Sequence, residues 1–420
     1  MNVQRIETGK IPFMVHGEPD PGAVEQMETC LADDGAVAGA LMADHHLGYS
    51  MPIGGVIAYD GKVSPSGVGY DIACGNKAVR LDADADDVRD NIATIMDDIW
   101  SAIQFGVGQS NPEAPDHDLF DDDAWRIPVA HKLKQKAQTQ LGTVGSGNHY
   151  VDVFVDERDR VWVGVHFGSR GFGHGIASHF MKAGGGKDGI HAPAVLLDVG
   201  TSLGDDYIAC MRLAGRYAYA GRDWVCERAA QIIGAPIVEQ VHNHHNFAWE
   251  EEIDGQPVWV VRKGATPAYP GQRGFVGGTM GDNSVILCGA QPLVEGGQTV
   301  VHVYEMDDGT ASGVIPTWGI MRDTLFSTVH GAGRAMGRTR AAGKWKYDKE
   351  QGMRVQVREG LINPEMMRSA TQGVELRGGG LDEAPQAYKS LWDVLRAHAG
   401  TIYVQHELTP IGVAMAGPGV

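Results

Sequence analysis

The chain has 420 residues, 43% of them hydrophobic and 21% charged, a globular balance long enough to bury a sizeable core without staples. Its formal net charge of −18 excludes a protein that coats nucleic acid non-specifically, because phosphate affinity comes largely from Lys and Arg. It leaves open an enzyme that grips a nucleic-acid end in one local basic cleft, where bound divalent metal inverts the local sign.

Pro21 followed by Ala23 to Leu31 predicts a first helix. Val88, Ile92, Ile95, Ile99 and Ile103 recur at helical spacing and predict a second, from about Asp86 to Phe105. Tyr150 to Val155 and Val161 to Val165 flank the polar group Asp156-Glu157-Arg158-Asp159 and predict a hairpin. Residues 183–189 form a Gly-rich loop, Val195 to Val199 and Val258 to Val261 read as short strands, and 378–387 is a further loop. The stretch 289–318 reads as an inserted hairpin or flap. Length alone suggests two to three domains, but no composition break divides the chain, and the mixture of hairpins and scattered helices points to α+β. The cysteines Cys30, Cys74, Cys210, Cys226 and Cys288 form no CxxC pair, so neither a disulfide framework nor a zinc knuckle is expected. With no apolar leader in Met1 to Val15 and no run of 18 apolar residues, the chain reads as a soluble cytoplasmic protein, away from any membrane.

Chemistry-bearing residues fall in clusters. Gly69-Tyr70-Asp71-Ile72-Ala73-Cys74-Gly75 sets a carboxylate and a thiol three residues apart, a mixed ligand pair suited to Mn, Fe, Co or Zn. Gly147-Asn148-His149 and His166-Phe167-Gly168-Ser169-Arg170-Gly171 supply one His each, and a lone His is more often a satisfied core residue than a ligand. If the hairpin turns through Glu157-Arg158, however, His149 faces His166 with Cβ atoms about 4.5–5.5 Å apart. A one-residue slip would send the two rings to opposite faces. His242-Asn243-His244-His245 concentrates three of the 17 histidines, and at least one is expected to be a ligand. In His330-Gly331-Ala332-Gly333-Arg334 the small residues leave the imidazole open to a bulky reagent. Backbone N–H groups there can cradle a phosphate, with Arg334 and Arg338 neutralising it. Arg262-Lys263-Gly264 and Gly277-Gly278-Thr279-Met280-Gly281 suggest a second phosphate surface. Gly200-Thr201-Ser202-Leu203-Gly204 fits the GxSxG pattern of esterases, but in a chain with 58 glycines it reads as a plain turn. There is no P-loop and no KxDG, so a nucleotide-activating nucleophile is not expected to be lysine.

Together these clusters resemble the RtcB family of RNA-splicing ligases over most of the chain, from Asp44-His45-His46-Leu47-Gly48 to Pro410-Ile411-Gly412-Val413. The most specific motifs are Asp71-Ile72-Ala73-Cys74-Gly75, Gly147-Asn148-His149, Gly168-Ser169-Arg170-Gly171, Arg262-Lys263-Gly264-Ala265 and His330-Gly331-Ala332-Gly333-Arg334. The resemblance implies a single compact α+β domain around a metal cleft, and a GTP-dependent RNA ligase holding two Mn²⁺ ions. It implies Asp71, Cys74 and His149 as ligands of one ion, and Cys74, His166 and His245 as ligands of the other. His330 is then the nucleophile that takes GMP as a phosphoramidate. Asn148 falls at the nucleotide phosphate, with Gly331, Ala332 and Gly333 beside it, and Asp152, Ser284 and Tyr388 at the guanine pocket. Arg170, Lys263, Arg334 and Arg338 fall to the substrate. The guanylate would pass to an RNA 3′-phosphate, often opened from a 2′,3′-cyclic phosphate, and a 5′-OH would displace GMP. The partners so implied are RNA ends, broken or spliced tRNA among them, met by a monomer with room for an activating protein.

The chain departs from that pattern at several positions. Asp152 replaces a glutamate, Thr409 and Met415 replace an Arg and a Lys, Gly337 replaces a Ser, His45 replaces a small apolar residue, and the 289–318 insertion is atypical. The metal residues stay intact, and the changes bear on the nucleotide pocket. The alternative is a dinuclear phosphoesterase or RNA end-processing enzyme with weak or no ligation. A non-catalytic RNA-end binder would have no need of His330.

Overall fold

The structure is a computed structural model that describes residues 2–186, 189–291, 293–295, 298–300, 302–305, 311–314, 318–348 and 352–417. Asp20 opens the first helix, Pro21–Leu31: its carboxylate accepts from Ala23 N–H at 2.9 Å, and Pro21 occupies the first turn. The second expected helix is two. Asn91, at φ −107° and ψ 7°, separates Ala85–Asp90 from Ile92–Ala102. Hydrogen bonds from Asn91 N–H to Asp87 O and from Ile95 N–H to Asn91 O carry the phase across the break, so a single apolar period spans both pieces. Ile95, Met96 and Ile99 bury in a core shared with Val151, Val153 and Val163.

Two large sheets carry the fold. One runs Val3–Ile6, Phe13–His16, Ala36–His46, Ile53–Tyr59, Gln256–Lys263, Asn246–Ile253. The other runs Ile237–His244, Gly75–Asp84, Arg160–Phe167, Tyr150–Asp156, Ile402–Met415, Ser284–Gly289, Arg273–Val276, with Glu375–Gly378 parallel to Ile402–Met415. Pairing is mostly antiparallel and the helices are scattered among the strands, which makes the fold α+β. The 32-residue helix Ser202–Ile233 packs on the strands Gly75–Asp84 and Arg160–Phe167. Ser202 is exposed at the start of this helix, behind its N-cap Thr201, so the GxSxG stretch is a helix start and not a strand-to-helix elbow in a cleft.

The hairpin turns one residue differently from the expectation. Three residues, Glu157, Arg158 and Asp159, connect the strands, and Asp159 takes the left-handed conformation at φ 54°. Asp156 fixes this turn by accepting from Arg158 N–H at 2.9 Å, Arg160 N–H at 3.0 Å, and Arg160 Nε and Trp162 Nε1 at 2.8 Å each. The pairing therefore sets Tyr150, and not His149, against His166. Within 292–317, Leu293–Glu295 pairs with Gln298–Val300 and His302–Glu305 with Ala311–Val314; the remainder of that stretch lies outside the described residues. So do Lys187 and Asp188 of the expected Gly-rich loop. No helix among the described residues is long and apolar enough to cross a membrane.

Candidate metal centre and nucleophile site

Register builds one wall of the cleft. Asn243, Asn76, His166, Tyr150 and Met415 are successive cross-strand partners, so their side chains leave the sheet on one face. Asp152, two residues beyond Tyr150, shares that face.

A strained turn supplies the first two ligand candidates. Cys74 N–H donates to Asp71 O at 3.0 Å, with Ala73 between them at φ 58°. Gly168 admits the carboxylate, since a Cβ there would stand 2.2 Å from Asp71 Oδ1. His149 lies in the loop just before the strand Tyr150–Asp156, which is how it reaches the cluster despite the shifted register. Its Nε2 is 3.0 Å from Asp71 Oδ2 and 3.6 Å from Cys74 Sγ, and its Nδ1 is 2.9 Å from Val144 O. His166 Nε2 is 3.3 Å from Cys74 Sγ, with Nδ1 2.7 Å from Asn76 Oδ1. His245 is anchored by its N–H on Cys74 O at 2.8 Å, and its Nδ1 lies 3.3 Å from Asn246 Oδ1. Its Nε2 is buried without a hydrogen-bond partner. In all three rings Nδ1 is taken, which leaves Nε2 for a metal.

The five residues form two groups, Asp71–Cys74–His149 and Cys74–His166–His245, with donor atoms within 4.8 Å of one another in each and Cys74 in both. Burial drives His166 and His245 well below the ordinary imidazole range, so both are neutral, the ligand form. Burial opposes ionisation of Asp71, yet the hydrogen bond and charge of His149, with Arg170, hold it at about 2. Burial pushes the Cys74 thiol up, which a bound cation reverses. The N, O and S donors and the orphaned His245 Nε2 thus fit divalent metal. A third group, Asp156, Glu157 and His406, is committed elsewhere: Asp156 to its turn, Glu157 to His406 Nδ1 at 2.8 Å and to Glu407 N–H at 3.1 Å.

His330 follows the strand Ser327–Val329 and lies beside the cluster, its ring 4.7 Å from that of His245. Its Nδ1 is 2.5 Å from Asp44 Oδ2, which also accepts His330 N–H at 3.2 Å. Asp44 is fully buried; burial raises its pKa, but the charge and hydrogen bonds of His330 outweigh this and hold it ionised. Nε2 is left to the cleft. Asn76 couples His330 to the candidate ligand cluster, since its Oδ1 meets His166 while its Nδ2 donates to His330 O at 3.3 Å. Gly333, at φ 74°, admits the Asp44 backbone, whose carbonyl oxygen would stand 2.4 Å from a Cβ there.

A cavity of about 260 Å³ joins these parts, and Asn148, Asp152, Gly331, Ala332, Gly333, Arg334, Arg338 and Tyr388 all line it. Arg334 donates to Glu383 at 3.0 Å and Tyr388 Oη at 3.1 Å, and Arg338 to Asp382 at 2.7 Å and to Glu383. Burial drives Asp152 well above the carboxylate range, beside the apolar Met280 and Met415. Four expected site residues do not line the cavity: His149, which meets Asp71 and Cys74 behind it, and Ser284, Arg170 and Lys263. Ser284 Oγ lies beneath it, accepting Gly278 N–H at 2.9 Å. Arg170 stands behind His149, with Nη1 3.3 Å from its Nδ1. Lys263 is buried, donates to Tyr49 O at 2.5 Å and Ser66 O at 3.3 Å, and is lowered by burial to about 8. His45 also points away, with Nε2 accepting Asp20 N–H at 3.0 Å. Sequence reasoning missed Asp44, Asn76 and Glu383 as site residues; of these only Asp44 stood in a quoted motif.

A mixed α+β scaffold that buries two candidate ligand groups around one shared cysteine, with an acid-held histidine at their edge, defines a candidate metalloenzyme. The sequence profile described as tRNA-splicing ligase RtcB matches residues 34–124 and 122–416. The tRNA-splicing ligase RtcB of Thermococcus kodakarensis is 30% identical, covering 89% of this chain and 86% of the relative. That of Archaeoglobus fulgidus is 30% identical across 93% and 90%, and the RNA-splicing ligase RtcB of Escherichia coli 28% across 89% and 88%. The chain belongs to the RtcB family.

Proposed function

We propose that this chain is a GTP- and Mn²⁺-dependent RNA ligase that joins 3′-phosphate or 2′,3′-cyclic phosphate ends to 5′-OH ends through a guanylylated His330. The observation that carries this reading is the Asp44–His330 contact beside the ligand groups. Asp71, Cys74 and His149 would hold one ion and Cys74, His166 and His245 the other; bound there, the metals neutralise phosphate charge and keep Cys74 a thiolate. Asp44 accepts the Nδ1 proton, so the Nε2 lone pair faces the α-phosphorus of GTP. The N–P bond forms as the bond to pyrophosphate breaks, and Asp44 balances the charge that develops on the ring. Asn148 and the backbone at Gly331 to Gly333 hold phosphate, while Asp152 and Tyr388 contact the base. A 3′-phosphate oxygen then takes the guanylate from Nε2, and the 5′-OH attacks that phosphate and releases GMP. Arg334 and Arg338 bring positive charge to the RNA side. The five cysteines are free and buried, in keeping with a reducing cytoplasm.

The test is joining of labelled RNA carrying a 3′-phosphate to a 5′-OH RNA with GTP and Mn²⁺. The reading expects a product of summed length, absent without GTP and absent in His330→Ala. Loss of the 3′-phosphate without joining would instead make the protein a phosphoesterase.

A further inference from the structure

The long helix Ser202–Ile233 buries a full positive charge beneath the metal cluster. Arg222 is 0% exposed and makes no ion pair among the described residues. Burying an unpaired cation is costly, so such a group calls for a reason. Its partners are all uncharged acceptors. Nη1 donates to Ala73 O at 3.0 Å and to Phe167 O at 2.6 Å, Nη2 to His244 Nδ1 at 3.0 Å, and Nε to His242 Nε2 at 2.7 Å. Three of these four flank one ligand triad: Ala73 precedes Cys74, Phe167 follows His166, and His244 precedes His245. None of the four bonds runs to Asp71 or His149. Tyr219, one helical turn back, stacks on His244 at 4.1 Å and lies 5.3 Å beneath the guanidinium.

We infer that Arg222 is a positioning residue that sets the Cys74–His166–His245 half of the site by tying its three ligand-bearing segments to one planar fork. The inference rests on the metal reading above. It also accounts for the two histidines of the His242-Asn243-His244-His245 cluster that do not face the metal groups: they receive the fork. Geometry and charge make opposite claims here. A cation near a metal opposes metal binding, so if charge were what mattered, removing it would tighten the site. If the fork matters, Arg222→Met loosens the site and Arg222→Lys does not rescue it, because an ammonium cannot reproduce the fork.

The experiment is calorimetric titration of the metal-free full chain with Mn²⁺, followed by electron paramagnetic resonance of the loaded protein. The parent is expected to bind two ions and to show a spin-coupled signal. Arg222→Met and Arg222→Lys are expected to keep one ion and to lose the coupled signal, or to bind the second ion roughly ten- to a hundredfold more weakly. His244→Leu removes one arm of the fork at lower risk to folding and should weaken the same ion. Tyr217→Phe, on the same helix, deletes a hydrogen bond to Ala137 O without touching the fork and should bind two ions normally. Two ions at parental or tighter affinity in any folded Arg222 variant overturns the inference, as does full rescue by lysine. If neither Arg222 variant folds, unchanged binding in His244→Leu overturns it. A parent that binds fewer than two ions overturns the metal reading as well.

Discussion

His330 and Asp44 lie 286 residues apart in sequence, and a 2.5 Å contact joins Nδ1 of the first to Oδ2 of the second. The same oxygen takes the His330 N–H, so both the ring and its backbone are fixed. A buried acceptor on Nδ1 selects the tautomer whose Nε2 carries the lone pair.

Asp44→Asn should therefore break guanylylation without breaking the metal site. An amide can present N–H to Nδ1 and favour the opposite tautomer. Adduct formation should fall roughly hundredfold or more, while Mn²⁺ titration matches the parent. A rate within about threefold of the parent, under the same expectation, would mean that Asp44 does not set the tautomer.

Cys74 stands in both ligand groups, so its loss should be felt twice. Cys74→Ala should bind at most one Mn²⁺ and form no GMP adduct. Full adduct formation with metal still bound would remove Cys74 from the mechanism.

The end of the cleft proposed for the nucleotide carries Asp152 and Met415 on neighbouring strands, the first raised by burial above the carboxylate range and the second without a side-chain hydrogen-bond donor. Loss of one charge-assisted hydrogen bond costs about 1.5–3 kcal/mol, roughly ten- to a hundredfold in affinity. The parent is expected to use GTP weakly or to accept ATP alongside it, and Met415→Lys to restore preference for GTP. Adduct yields across GTP and ATP concentrations decide this. Strict GTP use at low micromolar concentration, with no gain from the substitution, would contradict it.

Asp156 allows a test by pH. Burial raises its pKa, but the Arg160 and Trp162 hydrogen bonds lower it further, leaving it below the ordinary carboxylate value. A depressed carboxylate contributes stability above its unfolded pKa, near 3.9, and loses it as pH falls through the lower folded value. Asp156→Ala should cost about 2–3 kcal/mol at pH 7, with Trp162 Nε1 left unpaired, and the gap should narrow below about pH 4. Denaturant unfolding at pH 7 and pH 3 measures it, and an equal cost at both would show that the charge contributes nothing.

Much of the cluster was legible because its residues sit in short motifs. Asp71 and Cys74, His149, His166, His245 and His330 each carry a local signature of glycines or paired polar residues, and the structure brings them to one cleft. The hairpin register was not legible, because it hangs on Asp159 taking a left-handed conformation that the Asp156 hydrogen bonds reward. His149 still arrives, from the loop and not the ladder. Asp44, Asn76 and Arg222 escaped because their roles arise from contacts across 286, 254 and 149 residues, which no local pattern encodes. Lys263 misled, since a basic residue beside a glycine looks like a phosphate contact until its burial is seen.

The most direct test of the account is incubation of the purified chain with labelled GTP and Mn²⁺, followed by mass spectrometric mapping of the adduct. The account predicts GMP on His330 through an acid-labile phosphoramidate, and no adduct in His330→Ala, which should bind metal like the parent. GMP mapped to a lysine, or no adduct in a protein with both metals bound, would contradict it.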